Sequence, residues 1–278
     1  MSRLTRRAAA ALLLAGIAMA GPVAAQDARQ GIAADSVIET IKKRGRIVVG
    51  LSTFVPWAMT DKSGQLIGFE IDVAKQLAKD MGVEVEFVPT AWDGIIPALI
   101  AGKFDVIISG MSITPQRNLT VNFSEPYAYS GLRIAASTGI KDKVKTLEDF
   151  NSPDITFALR RGATPVPVVQ RLFPKATLVQ FDEDGASLQE VLNGNADATV
   201  ASEPTPSTYV IDYPDKIFIP VEDLLDATAE AFALRKGDPD ALNFFNNWID
   251  SQWRSGYLDE RHDYWFRTLD WKDQVAAQ

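Results

Sequence analysis

The chain has 278 residues, 46% hydrophobic and 23% charged, with 36 acidic against 28 basic side chains. That balance excludes disorder, collagen and coiled coil, and the acidic excess argues against a nucleic-acid binder, which needs Lys and Arg to neutralise phosphates. The absence of cysteine removes disulfides, thiolate nucleophiles, cysteine zinc sites, iron–sulfur clusters and a lipid-attached N-terminal Cys.

Arg3, Arg6 and Arg7 precede the uncharged run Ala8 to Ala20, and Gly21, Pro22 and VAAQ follow, ending at Gln26. This is the layout of a secretory signal, so residues 1–25 are read as a signal peptide cleaved after Ala25. The run is shorter than the roughly 18 apolar residues of a membrane span. Ala9 and Ala10 weaken a twin-arginine reading, since a bulky apolar residue is usual there. Losing three Arg and no acid makes the mature chain more acidic still.

A polar helical stretch, Val37 to Arg44, leads into the β-branched run Ile47 to Leu51, read as a buried strand. Ile71, Ala74, Leu77, Ala78 and Met81 recur at helical spacing, with Gly82 as C-terminal cap. Val83 to Val88 alternates as a strand. Trp92, Ile95, Ile96, Leu99 and Ile100 form a second helix face, and Asp105 to Ile108 is the next strand. This alternation predicts a parallel sheet covered by helices. The same grammar returns in Leu132–Ala136, Ile155–Leu159, Val166–Leu172, Thr177–Phe181, Ala186–Leu192 and Ala198–Ala201, which implies a second α/β unit. Ala231 to Leu234 is a further strand, followed by a helix carrying Leu242, Phe245, Ile249 and Trp253 and a short helix near Tyr264 to Phe266.

Catalytic and cofactor signatures are mostly missing: there is no G-x-G-x-x-G after a strand, no Walker lysine and no G-x-S-x-G. The single histidine, His262, is read as solvated on a terminal helix, so a histidine-rich metal site is not available. No cofactor and no metal is expected. Asp182, Glu183 and Asp184 lack the spacing of a calcium loop and are read as capping the helix that begins near Gly185.

Three motifs are more specific: GFEIDVAKQLAKDM at Gly68–Met81, AWDGIIPALIAGKFDVIISGMSITPQR at Ala91–Arg117, and VNFSEPY at Val121–Tyr127. Together they resemble the extracellular solute-binding proteins that serve ABC importers of polar amino acids, family 3. The likeness runs through nearly all of the mature chain. It implies a periplasmic-binding-protein fold: two α/β lobes joined by two crossing strands, with ligand in the interlobe cleft. The lobe limits follow as 38–130 plus 231–270 for the first and 131–230 for the second, with hinges around Pro126–Gly131 and Ala227–Phe232.

Ligands of open parallel sheets sit beyond the carboxyl ends of the strands, and the loop Gly110 to Arg117 stands there. The resemblance makes Arg117, a planar fork matched to carboxylate, the holder of the ligand α-carboxylate, helped by the Ser112 amide. The Gly110 carbonyl and Ser112 hydroxyl then accept from the α-amino group, with Met111 between them. In the other lobe, Thr164 as N-cap and Pro165 at the first helical position offer amides from Gly162, Ala163 and Thr164. Arg160 stands where relatives place a basic reader of the ligand side chain, and strand alternation sends Arg161 to the opposite side. Phe54 and Trp92 match the aromatic walls; Trp57 fits a wall or the core equally.

One departure stands out: the aspartate that fixes the ligand ammonium in many relatives is here Ser202, followed by Glu203. Either Glu203 takes the role by a one-residue shift, or neutral oxygens hold the amino group, or the ligand is not a standard α-amino acid. Leu51 or Ser52 replaces the carboxylate of binders of cationic amino acids, which points to a neutral polar or acidic ligand. The expected protein is a non-enzymatic, monomeric periplasmic receptor that docks on a membrane ABC permease. The alternatives are a cyclohexadienyl or arogenate dehydratase-like enzyme, with Glu203 or Asp93 as general acid, and a ligand-presenting sensor.

Overall fold

A computed structural model describes residues 36–275; the expected signal peptide lies outside the described residues. Nine helices and eleven strands follow one another in chain order within that range. The first unit opens with α1 (Val37–Arg44), whose N-terminus is capped by Ser36 and whose end is Gly45 in the left-handed conformation. Strand β1 (Arg46–Leu51) is buried from Ile47 onward. After the small hairpin β2 (Met59–Thr60) and β3 (Leu66–Ile67), α2 (Phe69–Met81) lays Phe69, Ile71, Val73, Ala74, Leu77 and Ala78 on the core. Gly82 ends it at φ 67°, as the sequence predicts. Strand β4 (Glu84–Pro89) pairs in parallel with β1.

The second expected helix splits. Trp92–Gly94 is a 3₁₀ turn, α3 covers Ile95–Ile100, and Ile100 is turned out to solvent. Strand β5 (Val106–Ile107) lies on the other side of β1, and the short α4 (Pro115–Asn118) follows, capped by Thr114.

The expected strand Leu132–Ala136 is only the end of β6, a 16-residue strand from Asn122 to Ser137. Its first part pairs antiparallel with β11 (Asp226–Leu234), from Leu234↔Asn122 to Asp226↔Leu132, with register shifts on either side of Ala231. Its last part pairs with β9 (Ala198–Ser202), from Leu132↔Ser202 to Ala136↔Ala198. One strand therefore serves both α/β units. Beyond β9 lie β7 (Thr156–Arg160) and β8 (Thr177–Phe181), all parallel, giving the order β4-β1-β5-β11-β6-β9-β7-β8. Helices α5 (Pro165–Leu172), α6 (Asp184–Leu192) and α7 (Thr205–Asp212) connect this second unit. The sequence reading had no helix at α7.

The apolar side chains gather on the two sides of this crossing. Val49, Trp57, Phe69, Leu77 and Tyr127 join Phe232, Phe245 and Trp248 in one core, which α8 (Pro239–Ser255) closes. Leu132, Phe150, Phe157, Val169, Phe173 and Val200 form a separate one. The chain thus builds two α/β lobes joined by β6 and β11. His262, at the end of α9 (Tyr257–His262), is half-buried rather than fully solvated: its ring meets Phe69 at 6.2 Å and Phe266 at 4.5 Å, edge to face, and burial lowers its pKa.

Candidate ligand-binding site

The carboxyl ends of β1, β5, β7 and β9 face one cleft, as open parallel sheets require. Phe54, Trp92, Gly110 and Ser112 line it from the first lobe; Arg160, Ala163, Thr164, Pro165, Asp184, Val200, Ala201 and Ser202 line it from the second. The lobes are drawn together over it. Trp92 Nε1 donates to the Gly162 carbonyl at 3.2 Å, Arg117 Nη2 to the same carbonyl at 3.3 Å, and Thr205 Oγ1 to the Val55 carbonyl at 2.6 Å. Arg160 Nη2 donates across the cleft to Ser52 Oγ.

Local sequence explains the walls. Phe54 stacks on Trp57 at 5.5 Å and 17°, and Trp57 is fully buried against Phe69 and Phe266. Trp57 is therefore core, and Phe54 is the wall it supports. Gly110 follows the strand with φ 54°, and a Cβ there would stand 2.6 Å from Phe54 Cζ. Only glycine brings the backbone that close to the ring. Its amide is fixed from behind: Tyr127 Oη accepts from Gly110 N at 3.0 Å and donates to the carboxyl of Glu70. Burial pushes the Glu70 carboxyl up to about 8. Met111 turns its side chain into the core, while Ser112 bridges to Glu230 of β11.

Two guanidinium groups flank one indole. Arg117 Cζ lies 5.4 Å and Arg160 Cζ 5.2 Å from the Trp92 ring centre, within cation–π range. Arg117 Nη1 donates to the Ser112 carbonyl at 2.9 Å, and burial brings its pKa down to about 10. Among the described residues neither Arg117 nor Arg160 forms an ion pair. Arg161 does: it sits outside, exposed, with its Nε donating to Asp182 at 2.9 Å. The strand alternation read from the sequence is what the structure has.

Other expectations change. Thr164 holds the N-cap position of α5 but its side chain makes no capping bond, and the Ala163 amide is used in a turn to the Arg160 carbonyl at 3.2 Å. Ala163 N–H is thus not free for a ligand. Glu203 is absent from the cleft lining; its carboxylate pairs with Arg133 and accepts from Ser207 at 2.9 Å. Having found a cation in its own lobe, Glu203 has no reason to turn to the cleft. The sequence predicts Asp184 as a cap. It is instead the first residue of α6 and lines the cleft, its Oδ2 accepting from Tyr209 Oη at 3.0 Å, with its pKa raised by burial. No pattern in the local sequence marks it, because its hydrogen-bond partner Tyr209 is 25 positions away and the Phe54 wall it faces belongs to the other lobe.

Two lobes on a shared pair of strands, closing over two guanidinium groups stacked on one indole, define a solute receptor of the periplasmic-binding type. The chain belongs to the bacterial extracellular solute-binding proteins, family 3, whose model matches residues 47–268. It is similar to the L-cystine-binding protein TcyJ of Escherichia coli, 29% identical over 245 residues, 85% of this chain and 88% of that protein. It also resembles the cyclohexadienyl dehydratase of Pseudomonas aeruginosa, 23% identical over 234 residues, 84% of this chain and 87% of that one. Among solved structures, the ancestral amino acid-binding protein AncCDT-1, a precursor of cyclohexadienyl dehydratase, matches with TM-score 0.77 and 41% identity, covering 83% of this chain and 99% of that one. A putative ABC-transporter binding component from Wolinella succinogenes complexed with lysine matches with TM-score 0.78 and 37% identity, over the same shares.

Proposed function

We propose that this chain captures an amino acid or an amino-acid derivative in the cleft by lobe closure and delivers it to a membrane ABC importer. The observation that carries this is Arg117, a half-buried guanidinium on the Trp92 ring with carbonyl partners but no acid within ion-pair distance. Desolvating a cation is costly unless an anion answers it, and a ligand carboxylate supplies that anion only when both lobes are shut. Arg117 then holds the carboxylate, Phe54 and Trp92 cover the ligand, and the Gly110 carbonyl and Ser112 hydroxyl accept from its nitrogen. Arg160 reads the distal polar group. The moving bodies are residues 38–130 with 231–270 and residues 131–230, turning about β6 and β11. Residues 1–25 direct export to the periplasm, where the cysteine-free mature chain works as a diffusing monomer without cofactor. The chain acts without catalysis: Glu203, one candidate acid for a dehydratase, is neutralised by Arg133.

Calorimetry of the mature chain against the standard amino acids, followed by product analysis of any ligand that binds, tests the reading. Micromolar binding with the ligand recovered intact supports it. Conversion of a bound cyclic acid, or binding of neither an amino acid nor an amino-acid derivative, overturns it.

A further inference from the structure

The acids around the cleft are for the most part already answered. Glu203 is held by Arg133, while Asp93, Glu183 and Asp184 act on Arg160, and Asp184 also accepts from Tyr209. Glu230 of β11 is different. It is fully buried, no Lys or Arg pairs with it among the described residues, and its Oε2 has no hydrogen-bond partner. Its place in the sheet aims it at the binding loop. Ile113 N donates to the Ala229 carbonyl at 2.9 Å and Ala231 N to the Met111 carbonyl at 3.1 Å, so Ser112 and Glu230 form a non-hydrogen-bonded antiparallel pair between them. In such a pair the two side chains share one face at their closest approach, about 5 Å between Cβ atoms. Ser112 lines the cleft, which puts Glu230 one hydroxyl behind the ligand. Glu230 Oε1 accepts from Ser130 Oγ at 3.1 Å, and Ser130 meets Thr228 at 3.0 Å across the two crossing strands. The other charged or titratable groups facing this node are Glu70 of α2, Tyr127 of β6, and Arg117 of α4, which holds the Ser112 carbonyl.

From this geometry we infer that Glu230 is the counter-charge of the ligand's α-ammonium group, acting through Ser112 where Ser202 offers no charge, and that it releases its proton to solvent when the ligand binds. In the ligand-free protein a buried acid without a cation keeps its proton, because an ionised carboxylate in the interior is costly. Burial accordingly pushes Glu230 up to about 7, against the pull of the Thr228, Ser130 and Ser112 hydroxyls. An ammonium within about 4–6 Å reverses that balance and favours the charged form. The Ser112 hydroxyl then donates to the Glu230 carboxylate and accepts from the ammonium, which uses both of its capacities. Arg117 answers the ligand carboxylate in the same complex, so the ammonium is the cation left for Glu230. Because Glu230 stands in a crossing strand and Ser112 in the binding loop, the charge step also ties the ligand to the hinge. Glu230 is a positioning residue, and the inference rests on the amino-acid-type binding proposed above.

The test uses the mature chain and matched pairs, each an amino acid beside the same molecule without its α-amino group: L-arginine with 5-guanidinopentanoate, L-glutamine with 4-carbamoylbutanoate, and L-glutamate with glutarate. Any other standard amino acid that binds is paired in the same way. Calorimetry of the amino acid at pH 6.5 in phosphate and in Bis-Tris, buffers of different ionisation heat, should show proton release. A complex that holds fewer protons tightens as pH rises, so affinity should increase about fivefold from pH 5.5 to 7.5. The partner without the amino group should bind more weakly and release no proton. Glu230→Gln keeps an acceptor for Ser130 and removes the charge. It should bind the amino acid about tenfold more weakly at pH 7.5 and lose the rise with pH, a difference that isolates Glu230 because both proteins keep Glu70. Melting temperature and circular dichroism check the fold of the variant, and the paired comparison in the wild type needs no variant. If the amino acid binds without proton release, or with the same release as its partner, or equally well to Glu230→Gln, Glu230 is a hinge-strand hydrogen bond alone and the amino-acid reading survives. If no amino acid or derivative binds, both fall together.

Discussion

Trp92 and Gly162 meet across the cleft: the indole Nε1 of one lobe donates to the backbone carbonyl of the other at 3.2 Å. The same indole supports both cleft arginines on its ring. In the proposed binding mode, closure and ligand contact are therefore coupled through one side chain. Trp92→Phe keeps an aromatic wall and deletes the cross-cleft bond, a neutral bond worth about 1 kcal/mol. Titration calorimetry should show roughly fivefold weaker binding of whichever amino acid the wild-type chain retains. Unchanged affinity would mean that the bond plays no part in closure.

Arg117 separates binding from folding. Its guanidinium is desolvated without an acid partner, so Arg117→Ala removes a cost from the ligand-free protein. The melting temperature should stay level or rise. Ligand affinity should drop by about 3–5 kcal/mol, the usual cost of truncating one partner of a buried charge pair. A variant that melts lower and binds normally would place Arg117 in the scaffold rather than the site.

Two buried carboxyls give the stability of this protein a pH dependence of definite sign. Burial raises Glu70 to about 8 and Glu230 to about 7, from an ordinary value of 4.5. Above pH 4.5 the unfolded chain releases these protons while the folded chain keeps them, so the folded state binds more protons in that window. The stabilisation is complete below pH 4.5 and is lost as pH rises through 7 and then 8. Melting curves from pH 5 to 8.5 should fall steadily, and Glu70→Gln should flatten the upper part of the slope. A melting temperature that rises across this range in the wild type refutes the assignment.

Gly110 has a narrower tolerance. At φ 54° an alanine pays about 1–2 kcal/mol for the left-handed backbone. Its Cβ also stands 2.6 Å from Phe54 Cζ. Gly110→Ala should lower the unfolding free energy by that conformational cost, read as a lower urea midpoint, and push Phe54 out of the wall, weakening ligand binding. A variant with wild-type midpoint and affinity would show that the loop relaxes freely.

Much of this molecule is legible in its sequence, for local reasons. Helix α2 could be read from Ile71, Ala74, Leu77 and Gly82 because amphipathic spacing and a left-handed cap depend on neighbours in the chain alone. The opposite directions of Arg160 and Arg161 follow from the two-residue period of a strand, and the Gly110–Arg117 loop follows from its place after β5. Tertiary structure decided the rest, because the deciding partners are distant in sequence. Residues 122–137 form one strand because β11 and β9 pair with its two ends. Glu203 leaves the cleft because Arg133, across the β6–β9 ladder, takes its charge. Asp184, which local sequence marks only as a helix start, becomes a cleft carboxylate when lobe closure sets α6 opposite Phe54. The chain's acidic excess and lack of cysteine bound its chemistry from the outset, but that a net acidic protein gathers two arginines without ion pairs on one indole at the cleft is a property of the fold, since charge inside a cleft depends on what has been desolvated beside it.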